Sequence, residues 1–275
     1  MKKVFLLAMS ALAVLGCNTK SASSNGDETK EGREVETQES REVETQIFEY
    51  ENNNDHFTVK LSVEFPVGGD QELGDCIFEF IKEALTYDHD CSDDLDVYRN
   101  DCQGLLDLFG PWKGDDMREA WNAYTEGTGQ EITLSYSDNI RIVENNENYI
   151  TCLCENESFT GADGFWANYG ATYLKSDCSE VTNEYLFKDP SSRVLATLLR
   201  DDLIEKYCRG REANWDDPDL ETIEDVLYLP FYVTREGLSY FYRRGLILPQ
   251  NVEGTLSWDK VKDLLTDEAK KLHKW

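Results

Sequence analysis

Basic side chains are scarce. Lys and Arg number 27 against 55 Asp and Glu, a formal charge of −28 over 275 residues. Nucleic acid is thereby excluded as a natural partner, because phosphate affinity rests on Lys and Arg neutralising the backbone. An anionic membrane surface is disfavoured on the same ground, unless a covalent anchor overrides the repulsion. Histidine is scarcer still. His56, His89 and His273 are the three in the chain, and none has a His partner at motif spacing, which excludes His-x-x-x-His zinc chemistry. Neither a Gly-x-Ser-x-Gly elbow nor a glycine-rich phosphate loop occurs. Ser257-Trp-Asp-Lys260 matches Ser-x-x-Lys in spacing alone; its companion motifs are missing, and Ser257 stands where a helix needs a cap. The acidic run Asp88–Asp96 lacks the glycine of a calcium loop and has Arg99 where the closing Glu belongs, so it reads as a solvated loop. No cofactor or metal is expected. Apolar residues are not lacking: at 40% hydrophobic and 12% aromatic, the chain can build a core.

The N-terminus supplies the covalent anchor. Lys2 and Lys3 precede an apolar run, Val4 to Leu15, broken only by Ser10. That run is too short for a transmembrane helix and suits a signal peptide. It ends in Val14-Leu15-Gly16-Cys17, which resembles a bacterial lipobox. The resemblance implies cleavage before Cys17 and lipid attachment to its thiol. Several acyl chains hold a protein on a membrane where one would not. Asn18 follows where a retention signal would have Asp, so the expected address is the outer membrane of a two-membrane bacterium.

Three segments follow from this: a signal peptide at 1–16, a disordered acidic tether at 17–46, and a body at 47–275 with lobes at about 47–187 and 188–275. The tether is rich in Ser, Thr, Glu and Lys, with too little apolar surface to offset its ordering entropy. Arg33-Glu-Val-Glu-Thr-Gln38 recurs as Arg41-Glu-Val-Glu-Thr-Gln46, read as slippage in a spacer with a reach of roughly 30 Å. In the body, His56 to Phe65 alternates as a half-buried strand, and Leu73 to Ala84 carries helical spacing. Helices are expected over Leu95–Phe109 and Asp115–Tyr124. Strands are expected over Glu131–Ser137, Ile140–Asn145, Tyr149–Cys154 and Trp166–Leu174. A long helix from Pro190 to Tyr207, two aromatic strands (Tyr228–Val233 and Leu238–Tyr242) and a helix from Ser257 complete an α+β chain, with antiparallel sheet packed against helices.

The order of these elements resembles the extracellular region of the lysozyme-sensing anti-sigma factor RsiV, which also precedes the catalytic domain of PdaC-type peptidoglycan deacetylases. Leu61-Ser-Val-Glu-Phe-Pro66 carries the likeness first. Phe159-Thr-Gly-Ala-Asp-Gly164, Asn168-Tyr-Gly-Ala-Thr-Tyr173, Lys175-Ser-Asp177 and Leu186-Phe-Lys-Asp189 carry it in the middle. Phe231-Tyr-Val-Thr-Arg-Glu-Gly-Leu-Ser-Tyr-Phe-Tyr242, Trp258-Asp-Lys260, Leu264-Leu265 and Glu268-Ala269 close it. The family's Thr-Gly-Gly-Ala-His-Gly is here Thr160-Gly-Ala-Asp-Gly164, so any role of that His does not carry over. The resemblance implies a domain that binds lysozyme. A cell-wall component is the other partner considered.

Seven cysteines lie beyond Cys17: Cys76, Cys91, Cys102, Cys152, Cys154, Cys178 and Cys208. An exported location permits disulfides among them, and an odd count leaves one thiol over. Cys152-Leu-Cys154 lacks Cys-x-x-Cys spacing, so structural bridges are favoured over zinc. Aromatic residues around a glycine-rich turn make Phe159, Thr160, Asp163, Trp166 and Tyr169 the candidate ligand-binding residues. The expected function is non-catalytic binding by an envelope lipoprotein. The alternatives are a carboxylate-based hydrolase of cell-wall glycan or peptide, and a structural surface protein.

Overall fold

The computed structural model describes residues 41–87, 94–161, 164–207, 230–242 and 252–273. Cys17, Cys91, Asp163 and Cys208 lie outside the described residues.

The core is laid down by one strand. Along β2 (Phe57–Gly69), Phe57, Val59, Leu61, Val63 and Phe65 are all buried on one face, as period-2 alternation dictates. Helix α1 (Gln71–Thr86) follows at once. Asp70 caps it, its carboxylate accepting the Leu73 amide at 2.9 Å, and Leu73, Ile77, Phe80, Ile81 and Ala84 point inward. Strand β1 (Val43–Asn53) pairs antiparallel with the length of β2. The turn out of β2 needs Gly69: its φ is +87°, and a Cβ there would lie 2.4 Å from the Glu42 carbonyl oxygen.

Strand β3 (Leu134–Asn145) pairs parallel to β2, and a parallel pair requires a crossover. Helix α1, a 3-10 turn at Leu95–Tyr98 and helix α2 (Cys102–Thr128) provide it. Strands β4 (Tyr149–Phe159) and β5 (Gly164–Leu174) then add antiparallel, completing a five-stranded sheet in sequence order. One face carries α1 and α2 over a cluster that includes Phe65, Phe78, Phe80, Leu106 and Phe109.

The other face of the sheet receives a second, antiparallel sheet: β6 (Phe231–Val233), β7 (Gly237–Tyr242) and β8 (Val252–Ser257). Around it lie α3 (Asn183–Leu186), α4 (Arg193–Tyr207), α5 (Trp258–Val261) and α6 (Asp267–Leu272). Two buried threonines make the join. Thr151 Oγ1 donates to the Val233 carbonyl at 2.7 Å, and the Val233 amide donates to Thr172 Oγ1 at 2.8 Å. Gly170 lets Tyr232 approach, since a Cβ there would meet its ring at 2.5 Å. A second cluster, with Tyr240, Leu256, Trp258 and Leu265, also takes Tyr149 and Leu174 from the first sheet. The described residues accordingly form one compact unit.

The α+β class stands, with several revisions. Residues 41–46, assigned to the tether, belong to the body: Arg41 binds Asp70 through Nε at 2.7 Å and Nη2 at 2.6 Å, donates to the Lys175 carbonyl at 3.0 Å, and leads into β1. The two helices expected between Leu95 and Tyr124 are a 3-10 turn and one 27-residue helix running through Pro111. Gly110 in that helix makes room for Tyr50 of β1, whose ring a Cβ would strike at 2.3 Å. The strands expected at Glu131–Ser137 and Ile140–Asn145 are parts of one strand, β3, which begins at Leu134 and is irregular between Ile142 and Glu144. The helix expected from Pro190 starts at Arg193, and β8 was not expected. Ser257 does occupy a helix N-cap, but its side chain makes no capping hydrogen bond.

Candidate functional site

Strand parity decides which candidate residues meet. On β5, the even-numbered residues face the second sheet: Trp166 packs edge-on to Phe241 with ring centroids 5.1 Å apart, and Thr172 holds Val233. The odd-numbered residues face α1. Tyr169 stacks on Phe80 at 5.3 Å and lies 6.3 Å from Tyr87. Trp166 and Tyr169 are thus on opposite faces. Phe159 is half-buried at the end of β4, opposite Gly164, and Thr160 is exposed beside it. Gly161 then turns at φ +110° against the ring of Tyr124.

Around Trp166 the surface is both aromatic and acidic. Trp166 keeps 38% of its surface exposed on an edge strand, and Glu157, also exposed, is its register partner on β4. Behind it, Phe241 of β7 pairs with Glu253 of β8, and Glu253 accepts the Tyr232 hydroxyl at 3.2 Å. Burial first, and the Glu253 carboxylate second, hold that phenol well above its ordinary range. Glu155 is neutralised by Arg141, which approaches it at 2.9 and 3.0 Å and lowers its titration. Glu157 and Glu253 are the register partners of Trp166 and Phe241, so carboxylates stand beside the Trp–Phe pair, an arrangement that suits a cationic side chain. The position of Glu253 was beyond sequence reasoning, because β8 was not expected.

A second group lies on the α1 face. The Tyr169 hydroxyl donates to Glu83 Oε2 at 2.9 Å. Glu180 is raised, by burial first and by Glu83 second. Glu180 nonetheless lies at an exposed position, as does Glu83, and solvent contact weakens both effects.

A recess of about 460 Å³ opens between the β1–β2 turn and α2, lined by Asn54, Asp55, His56, Phe57, Arg118, Trp121 and Asn122. His56 covers the Trp121 ring at 4.0 Å, so the indole face is already taken.

Thiol titrations are raised among the described cysteines. All five described ones are thiols. Burial pushes Cys76 and Cys102 up to about 12 and raises Cys152 further, the reverse of an activated thiolate. Cys152 and Cys154 both belong to the core cluster under α1. Among the described residues, no three His, Cys, Asp or Glu side chains are placed to hold a metal, and no helix is long and apolar enough to cross a membrane.

No family model and no curated protein matches the chain. Solved structures do. A DUF3298 protein of Bacteroides fragilis superposes with a TM-score of 0.58 at 14% identity, over 83% of this chain and 96% of its own. The fold is that of DUF3298 proteins. A second DUF3298 protein, from Pseudomonas aeruginosa, has a TM-score of 0.50 at 11% identity, over 84% of this chain and 97% of its own. RsiV-like domains belong to the same group, so the resemblance read over most of residues 56–272 agrees with the fold at the level of architecture. At such identities the likeness concerns architecture, and DUF3298 denotes a family of unknown function.

Proposed function

We propose that this chain is a lipid-anchored envelope protein, held at the outer membrane through Cys17, whose DUF3298 body binds a strongly basic protein and performs no chemistry of its own. Lysozyme is the partner the RsiV resemblance suggests. The observation that carries the reading is the surface around Trp166: an exposed indole backed by Phe241 and flanked by Glu157 and Glu253. Exposed aromatics in a partly dry setting are the residues that anchor protein interfaces. A formal charge of −28 adds long-range attraction for a cationic partner, raising the association rate and making it fall with salt.

Calorimetry of the full chain against a c-type lysozyme at two salt concentrations tests this. Binding that weakens with salt and is lost in Trp166→Ala is expected; no heat at low salt contradicts it. The anchor is tested separately, by mass spectrometry for acyl chains on Cys17 and by release of Cys17→Ser from the membrane fraction.

A carboxylate hydrolase has one observation in its favour. Glu180, raised beside Glu83, is the kind of acid that glycoside hydrolysis uses, and Tyr169 orients its neighbour. Release of reducing sugar from peptidoglycan, abolished by Glu180→Gln, would move the function to that face.

A further inference from the structure

Two of the thiols lie close together. Cys76 is on α1, and Cys178 is in the turn after β5, 102 residues later. Cys76 Sγ lies 3.6 Å from the backbone carbonyl oxygen of Cys178. The side chains also reach each other: after burial, each thiol is the next influence on the other's titration, and Arg41 draws Cys178 back down. A sulfur this close to the partner's backbone is what a bridge between the two residues requires.

The backbone at Cys178 is unusual. Its φ is +58°, the one non-glycine residue in the left-handed region among those described. Such a conformation is uncommon outside Gly, Asn and Asp, and persists where the surroundings over-determine it. Here the turn does so. The Cys178 amide donates to the Leu174 carbonyl at 2.9 Å, and the Leu174 amide to the Ser179 carbonyl at 2.9 Å. The Asp177 carboxylate accepts the Ser179 amide at 3.1 Å and its hydroxyl at 2.7 Å. A glycine would hold this turn with less strain, whereas a cysteine puts a sulfur against α1.

We propose that Cys76 and Cys178 are joined by a disulfide in the mature protein, tying α1 to the exit of β5 beside the Arg41–Asp70 ion pair. The oxidant is the disulfide of an exchange partner, protein or small molecule, as in any oxidising compartment. The Cys178 thiol loses its proton, and its thiolate, nearer Arg41, attacks one sulfur of that disulfide and expels the first thiolate. The Cys76 thiol then loses its proton and attacks Cys178 Sγ, expelling the second. Two protein thiols are oxidised by two electrons, and one external disulfide is reduced to two thiols. The bridge closes a long loop between elements distant in sequence, where cross-links restrict the unfolded chain most. Cys102, Cys152 and Cys154 stay as thiols in the core.

The test is a peptide map of the full-length protein, purified without reductant, exposed to oxidised glutathione and digested without reduction. A single Cys76–Cys178 cross-linked peptide is expected, with a melting temperature about 10 °C above that of the reduced protein. Cys76→Ser, Cys178→Ser and the double variant each lose the same increment, because one substitution already removes the bridge. Cross-links from either residue to Cys91, Cys208 or a second chain overturn the pairing. So do two thiols that alkylate in the folded protein after oxidation. Where a serine variant fails to fold, the wild-type map decides.

Discussion

The two sheets are held together by different physics. The five-stranded sheet buries one face under α1 and α2 through apolar side chains, with Val59, Val63, Leu73, Phe80 and Ile81 fully out of water. The three-stranded sheet is tied to it by polar contacts. It meets the first through Thr151 and Thr172, and its own interior contains Asp202, 5% exposed, which accepts the Tyr240 hydroxyl at 2.6 Å and pairs with Lys260 at 3.3 Å. Apolar packing is forgiving of sequence, whereas buried hydrogen bonds demand particular partners and cost most when one is removed. The candidate binding surface lies where the two sheets meet, so its geometry depends on the polar join.

The largest effect is expected in the first core. Phe65→Ala should lose about 4 kcal/mol in denaturant unfolding, through lost burial and the cavity left behind. A loss under about 1 kcal/mol would mean that this core is no better packed than the second. Asp202→Ala should cost about 3 kcal/mol by leaving Tyr240 and Lys260 without their acceptor. Its hydrogen exchange should quicken in β7 and β8 while β2 stays protected; equal quickening in both sheets would erase the distinction between them. Thr172→Val removes the acceptor for the Val233 amide and should cost about 1–2 kcal/mol, with weaker partner binding if the join sets the surface around Trp166. Trp166→Ala should leave stability almost unchanged.

A small, pH-dependent effect is expected at Arg41. Its guanidinium holds the Asp70 carboxyl down to about 2, with the Leu73 amide assisting. A carboxyl depressed on folding contributes stability above its unfolded value of about 4 and loses it as pH falls through about 2. Both side chains are partly solvated, at 20% and 25% exposure, so the contribution stays below about 1 kcal/mol. Arg41→Ala should flatten the stability profile between about pH 4 and 2; an unchanged acid limb would show that Arg41 does not hold Asp70 in solution.

The same contrast explains what was legible in the sequence. Strand β2 and helix α1 announce themselves, because their apolar residues recur at clean periods of 2 and 3.6 and nothing interrupts them. Strand β1 did not, because Arg41–Gln46 repeats Arg33–Gln38 and offers one sizeable apolar side chain, Val43. It becomes strand through backbone pairing to β2, and tertiary pairing leaves no trace in composition. Helix α2 read as two helices because Gly110-Pro111 looks like punctuation; the close approach of Tyr50 accounts for the glycine. At the site, Trp166 was visible as an aromatic near a turn. Its separation from Tyr169 follows from parity alone, three positions apart on one strand. The pairing with Phe241 and Glu253 was not accessible, because it depends on β8 and on how the second sheet docks.

Amide hydrogen exchange of the full chain with and without lysozyme tests the central claim most directly. Protection should appear on β5 at Phe165–Ala167 and around Glu253 of β8, and be absent at Asn54–Phe57 beside the His56 recess. Protection confined to that recess or to the Glu83–Glu180 face, or no protection at low salt, would contradict a basic partner seated at Trp166.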